Sequence, residues 1–198
     1  AVTPLGQLPF FIDFLKTADL FAPWVNEAPL TWTSPNAPGK TEILGTMMLS
    51  VLAGHHRYAH MTTMRSDTVN PPLLGMKKVA SEDSARRAFQ AVDENATSEW
   101  LQNHFKRCCE PLLYEPWIMD IDSSVKQLYG HQEGAEKGYN PTKRGRPSHT
   151  CHTYFAANLR LVLGVDVLSG KKMSSLYTRP GLWALLKSLP REAWPKFL

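Results

Sequence analysis

Two aspartates, Asp120 and Asp122 in the run PWIMDIDSS, have the types and spacing to do chemistry. On a β-strand, residues two apart share a face. Both carboxylates then point one way, with Ile118 behind them, while Trp117, Met119 and Ile121 pack on the other side. Two acids at the carboxyl end of an apolar strand suit a hard divalent cation such as Mg2+, which takes oxygen ligands. The competing reading ends the strand earlier and leaves both acids in solvent. Downstream, GAEKGYNPTKRGRPSH offers Lys137, Lys143, Arg144 and Arg146 beside Tyr139. A basic, glycine-punctuated loop suits phosphate contacts in which charge and backbone amides set orientation; the plain alternative is a solvated loop. Arg86 and Arg87, in SEDSARRAFQAV, either lie on DNA within a helix-turn-helix-like unit or form a charged helix face.

Three further groupings read less well as chemistry. APGKTEIL ends like a nucleotide-binding loop, with Gly39-Lys40-Thr41 leading into a helix. Ser34 stands where that motif needs its first glycine, and Pro35 and Pro38 stiffen the segment. His131, His149, Cys151 and His152 hold zinc-type donors but lack the paired spacing of a structural zinc site. Cys108-Cys109 sits on an apolar helix face and reads as core packing.

The elements that must position these residues change character along the chain. Pro9 to Leu20 is amphipathic, and Thr41 to Ala53 is an apolar helix pattern that Gly54 closes. A polar, histidine-rich stretch and a Pro71-Pro72 turn follow. Ser81 then serves as N-cap to a helix with Glu82 and Asp83 in its first turn. Helical spacing returns from Glu99 to Cys109, so residues 1–110 read as mainly helical. From Pro111 the pattern is β-like through LLYEPWIMDID, then a loop from Gly130 to Pro147, then the strand NLRLVLGVDVLSG. PGLWALLKSL is a short helix, with Pro180 just before its start and Pro190 as its stop. Strand, loop, strand, helix over residues 111–198 indicates the opening of an α/β domain.

Composition permits these assignments. The 198 residues are 43% hydrophobic, 20% charged and 10% aromatic, enough for a packed core in one ordinary domain or two small ones. The formal net charge of +4 allows a nucleic-acid partner without demanding one. Three cysteines, two of them adjacent, suggest no disulfide framework, and a reducing, cytoplasmic compartment fits best. The longest apolar runs fall far short of the roughly 18 residues of a membrane span, so no membrane partner is expected.

The run WIMDIDSSVKQLYGHQEGAEKGYNPTKRGRPSHTCHTYFAANLRLVL closely resembles the start of the catalytic domain of DDE-type bacterial insertion-sequence transposases. The matching motifs are Leu128-Tyr129-Gly130, Gln132 to Ala135, and Gly138 to His149. SPNAPGK, LAGHHRYAHMTTMRSD, NPPLLGM and SEDSARRA fall in the family's order in the N-terminal half. The resemblance implies a mixed α+β or α/β chain: a helical DNA-binding region over 1–110, then the first part of an RNase H-like fold over 111–198. It maps the first catalytic acid onto Asp122, because that residue directly precedes Ser123-Ser124, where relatives commonly carry threonines. Asp120 is the competing assignment or a neighbour of the metal. The implied activity is metal-dependent cleavage at element ends and joining of 3′-hydroxyls to target DNA. Two Mg2+ ions, with Mn2+ as a substitute, would serve it. The implied partners are terminal inverted repeats, target DNA and a second copy in a homodimer, and the implied location is the bacterial nucleoid. Asp166, Glu133 and Glu136 do not sit in the family's pattern for the later acids, which are expected beyond Leu198. The chain alone is therefore expected to be nearly inactive. The alternative is a truncated DNA-binding module that competes for element ends.

Overall fold

The computed structural model describes residues 3–32, 34–173 and 175–197. The chain divides into two compact units, Ala1–Leu101 and Gln102–Leu198. That division falls within helix α6 (Glu94–Cys109), upstream of the change in sequence character at Pro111. Helices and one open antiparallel sheet make the chain a mixed, α+β structure. Among the described residues, no helix is long and apolar enough to cross a membrane.

The first unit is helical: α1 (Leu8–Thr17), α2 (Phe21–Glu27), α3 (Lys40–Leu52), a 3-10 segment (Tyr58–Ser66), α4 (Asn70–Leu73), α5 (Glu82–Gln90) and the start of α6. Helix α3 is buried nearly all round, through Ile43, Leu44, Gly45, Thr46, Leu49 and Ser50, which makes it the centre of this unit. Ile12, Val25, Met64, Met76 and Trp100 complete the same core. Gly45 is needed there, because a Cβ would stand 2.6 Å from the Met76 sulfur. Two polar side chains of α3 hold the following loop: Thr46 accepts the Ala80 N–H at 2.9 Å, and Glu42 accepts that of Lys77 at 3.1 Å. Gly54 closes the helix at φ +79°. Ser81 caps α5, accepting the Ser84 N–H at 3.2 Å.

The Pro71-Pro72 pair, expected as a turn, instead lies in the first turn of α4, where a missing N–H costs nothing. Asp67 anchors that entry. One carboxylate oxygen accepts the backbone N–H groups of Val69 (2.9 Å) and Asn70 (3.1 Å); the other accepts the Asn70 amide (2.6 Å) and the Thr3 hydroxyl (3.0 Å). Burial pushes this carboxyl up, but the donors from Asn70, Val69 and Thr3 outweigh it and hold the group below the usual carboxylate range.

The second unit is built on strands β1 (Met119–Gln127), β2 (Glu136–Lys137), β3 (Pro147–Ala156) and β4 (Leu161–Ser169), followed by α7 (Ser175–Ser188). Strand β3 is central. It pairs antiparallel with β1 on one side and with β4 and the short β2 on the other. Its tight turn into β4 carries Arg160 at φ +56°. Trp117, Met119, Tyr154, Ala156, Leu163, Leu186 and Leu189 form the core, and the Trp117 indole donates to the Ala193 carbonyl at 2.9 Å.

Three further sequence expectations change. Strand β1 does not end at the acids: it runs through them to Gln127, because Ser123 to Gln127 pair in register with His152 to Ser148. The segment from Pro147 to Ala156, unassigned by periodicity, is the central strand. Helix α7 begins at Ser175 rather than after Pro180, so the proline lies inside it and removes one intrahelical hydrogen bond.

Candidate functional site

Strand β1 alternates between two environments. Asp120, Asp122, Ser124 and Lys126 are exposed on one face, with Met119 buried and Ile121 half-buried on the other. The register gives the acid face its neighbours: Asp120 opposes Phe155, Asp122 opposes Thr153, Ser124 opposes Cys151 and Lys126 opposes His149. Beyond them on β4 stand Val162, Val165 and Val167, all exposed. Successive side chains on this face are roughly 6.6 Å apart along the strand. The two carboxylates therefore form a short acidic row on an open face, with the Lys126 cation further along the same strand.

The donor chemistry of that row fits Mg2+, which is commonly held by one or two carboxylates and keeps several waters. Asp122 and Asp120 would hold it and could contribute one wall of a binuclear site. Among the described residues, no other acid joins the two. Asp166 lies on the opposite face of the sheet, where it accepts a hydrogen bond from Tyr154 at 2.8 Å. Glu136 is ion-paired with Lys171 at 2.8 Å. The Lys171 donor, then the Ser169 hydroxyl, hold its carboxyl below the ordinary range. Among the described residues, no three His, Cys, Asp or Glu side chains gather as a metal-ligating group.

Beneath the acid row lies a polar layer that periodicity does not reveal. Ser123 and Ser124 part company: Ser124 shares the face of the acids, whereas the Ser123 hydroxyl meets His152 Nδ1 at 3.2 Å. His152 is fully buried, with Nδ1 also 2.5 Å from the Thr178 hydroxyl and Nε2 2.8 Å from the Lys172 carbonyl. A carbonyl can only accept, so Nε2 carries the proton and Nδ1 accepts from the two hydroxyls. The ring thus links the strand residue next to Asp122 to α7 and to the chain before it. Alternation also separates the zinc-type donors, with His149 and Cys151 on the acid face and His152 on the other. Of the cysteine pair, Cys109 is core while Cys108 is exposed.

The basic segment is a shaped loop. Asn140 Oδ1 accepts the N–H groups of Thr142 (3.1 Å) and Lys143 (2.9 Å), and Gly145 turns the chain at φ +78°. A Cβ on Gly138 would stand 1.9 Å from the Gly170 carbonyl oxygen, so this backbone lies directly on the chain leaving β4. Lys137, Lys143 and Arg144 are exposed, and Arg146 is half-buried. Arg146 and Lys143 both converge on Tyr129, at 4.6 Å and 5.4 Å from its ring centroid.

In the first unit, each arginine of the α5 pair meets an acid one turn back. Arg86 lies 3.5 Å from Glu82 and over the Tyr58 ring, and Arg87 lies 3.8 Å from Asp83. Lys40, the lysine of the GKT run, donates to the carbonyls of Ala28 (2.6 Å) and Asn26 (3.2 Å). It therefore serves the carboxyl end of α2, where a cation opposes the negative end of the helix dipole.

No protein-family model, curated protein or solved structure matches the chain.

Proposed function

We propose that this chain is the N-terminal portion of a DDE-type transposase, with a helical DNA-binding region and the opening of an RNase H-like catalytic domain. Asp122 is the first catalytic acid and a metal ligand, and Asp120 its neighbour in the same metal shell. In the complete active site two Mg2+ ions, replaceable by Mn2+, would activate the attacking oxygen and stabilise the leaving one. The DNA partners are terminal repeats and target, and the working unit is a homodimer at the nucleoid.

One observation carries the reading. The acids stand solvent-facing on β1, and Lys196–Phe197 run parallel to the start of that strand. Lys196 N–H donates to the Trp117 carbonyl (3.0 Å) and Met119 N–H to that of Phe197 (2.9 Å). At Phe197 the chain is thus heading alongside Asp120 and Asp122. Carboxylates from a neighbouring parallel strand are what a two-metal cage needs in addition to β1.

The residues in hand support recognition more than turnover. Lys137, Lys143, Arg144 and Arg146 supply phosphate contacts, with Arg86 and Arg87 as a second set in the first unit. The 198-residue protein is expected to bind duplex DNA with an affinity that falls steeply with salt. With Mg2+ or Mn2+ it should show little or no nicking, behaving alone as a DNA-binding module. A gel-shift titration at several salt concentrations, paired with a supercoiled-plasmid nicking assay, tests both statements. Robust cleavage abolished by Asp122→Ala would overturn the inactivity, and failure to bind DNA at low salt would sink the reading.

A further inference from the structure

Tyr129 does not belong to the acid row, and charge alone gives its position no explanation. Tyr129 is 65% exposed although two cations, Arg146 and Lys143, lie within 6 Å of its ring centroid. Much of the residue therefore remains open to a further partner. Among the described residues neither cation forms an ion pair. Tyr139, 62% exposed, stands in the same loop. The loop is also held in shape, by Asn140 on the Thr142 and Lys143 amides and by the contact of Gly138 with Gly170. A solvated lysine-rich loop needs neither a presented aromatic face nor such anchoring.

Open aromatic faces flanked by unpaired cations are the two parts of a single-strand binding surface: stacking holds bases, and charge tracks phosphates. A closed duplex offers phosphates but few base faces. We propose that Tyr129, with Arg146 and Lys143 beside it, is a stacking platform for an unpaired base, so that this loop takes DNA with a frayed or single-stranded end. The proposal rests on the DNA-binding reading above and adds to it the form of DNA that the loop selects.

The test uses the 198-residue protein and three labelled oligonucleotides of one duplex sequence, measured by fluorescence anisotropy. One is blunt, one carries a short thymidine tail, and one carries an abasic tail of equal length and charge. The thymidine tail should tighten binding by about tenfold over the abasic tail, the order expected for one or two stacked bases. Tyr129→Ala should erase that difference. Tyr129→Phe should retain the difference, since the face and not the hydroxyl does the work. Arg146→Ala should weaken all three probes.

Equal binding of thymidine and abasic tails by the unmodified protein overturns the platform and leaves the DNA reading standing. A thymidine preference that survives in Tyr129→Ala overturns the assignment to this residue. No binding to any probe removes both readings.

Discussion

The Tyr154 hydroxyl donates to the Asp166 carboxylate at 2.8 Å and lies 3.0 Å from the Thr178 carbonyl, which ties β3, β4 and α7 together at one buried point. Gly181 of α7 packs against that point: a Cβ there would lie 1.9 Å from Asp166 Oδ2 and 2.2 Å from the tyrosine oxygen. Tyr154→Phe leaves a carboxylate short of its donor and is expected to cost about 1–3 kcal/mol. Gly181→Ala must separate helix from sheet, or the pair itself, and should cost a similar amount. Urea unfolding of both variants measures this; an unchanged midpoint for Gly181→Ala would mean that the contact is looser than described.

The same tyrosine sets an alkaline limit. Burial, then the Asp166 hydrogen bond and charge, raise its hydroxyl well above the ordinary tyrosine value. A raised folded-state pKa contributes stability that is complete below the unfolded value near 10 and falls away as pH rises beyond it. Stability of the second unit should decline above about pH 10, and less steeply in Tyr154→Phe. Thermal melts between pH 8 and 11 would show the difference in slope.

Asp67 sets the corresponding acid limit in the first unit. Its folded pKa is depressed, so its contribution is present above the unfolded carboxyl value near 4 and is lost as pH falls through the folded one. Asp67→Ala should cost about 1–3 kcal/mol at neutral pH through the freed amides of Val69 and Asn70. It should also flatten the acid side of the stability profile between pH 5 and 2. Retention of the native profile would show that the Asp67 anchor contributes little.

His152 joins Ser123 to α7 through a ring whose Nε2–H is directed at the Lys172 carbonyl. His152→Ala leaves the buried Thr178 hydroxyl without its partner, frees the part-buried Ser123 hydroxyl and Lys172 carbonyl, and opens a cavity, so it should cost about 2–4 kcal/mol. Its ring is expected to show the Nε2–H tautomer by nitrogen NMR near neutral pH. The opposite tautomer would contradict the donor assignment.

Lys40 makes a contrasting case, since its substitution should act on structure and not on nucleotide binding. Lys40→Met removes a cation from the carboxyl end of α2 and should lower stability by about 1 kcal/mol. ATP affinity, read by calorimetry, should be negligible in both proteins; tight binding lost in the variant would restore the GKT run as a nucleotide site.

The helical half was legible because its signals are local: the Ser81 cap, the Gly54 stop and the apolar run of α3 each act within a turn or two. The alternation at Met119 to Asp122 likewise showed which way the acids face. Strand β3 escaped because its inward residues Ser148, Thr150 and His152 are polar, so the usual contrast between a dry face and a wet one is absent. The start of α7 is hidden because Pro180 has the sequence signature of a boundary, whereas the helix tolerates it at the loss of one hydrogen bond. Contacts between distant residues, such as Lys40 with the end of α2 or Tyr154 with Asp166, leave no mark in spacing.

Strand β1 is paired along one side by β3, while on its other side, among the described residues, only the Ile118–Phe197 bridge meets it. An open strand edge is a template for a second copy, and charges along such a strand discourage that stacking. Asp120, Asp122 and Lys126 are the charges available here. Where that edge stands open, these charges would oppose such stacking, so neutralising the acids proposed to hold metal is expected to raise self-association as well. Any altered DNA or metal binding in an Asp122 variant speaks to the site only when the protein in the assay is still dispersed.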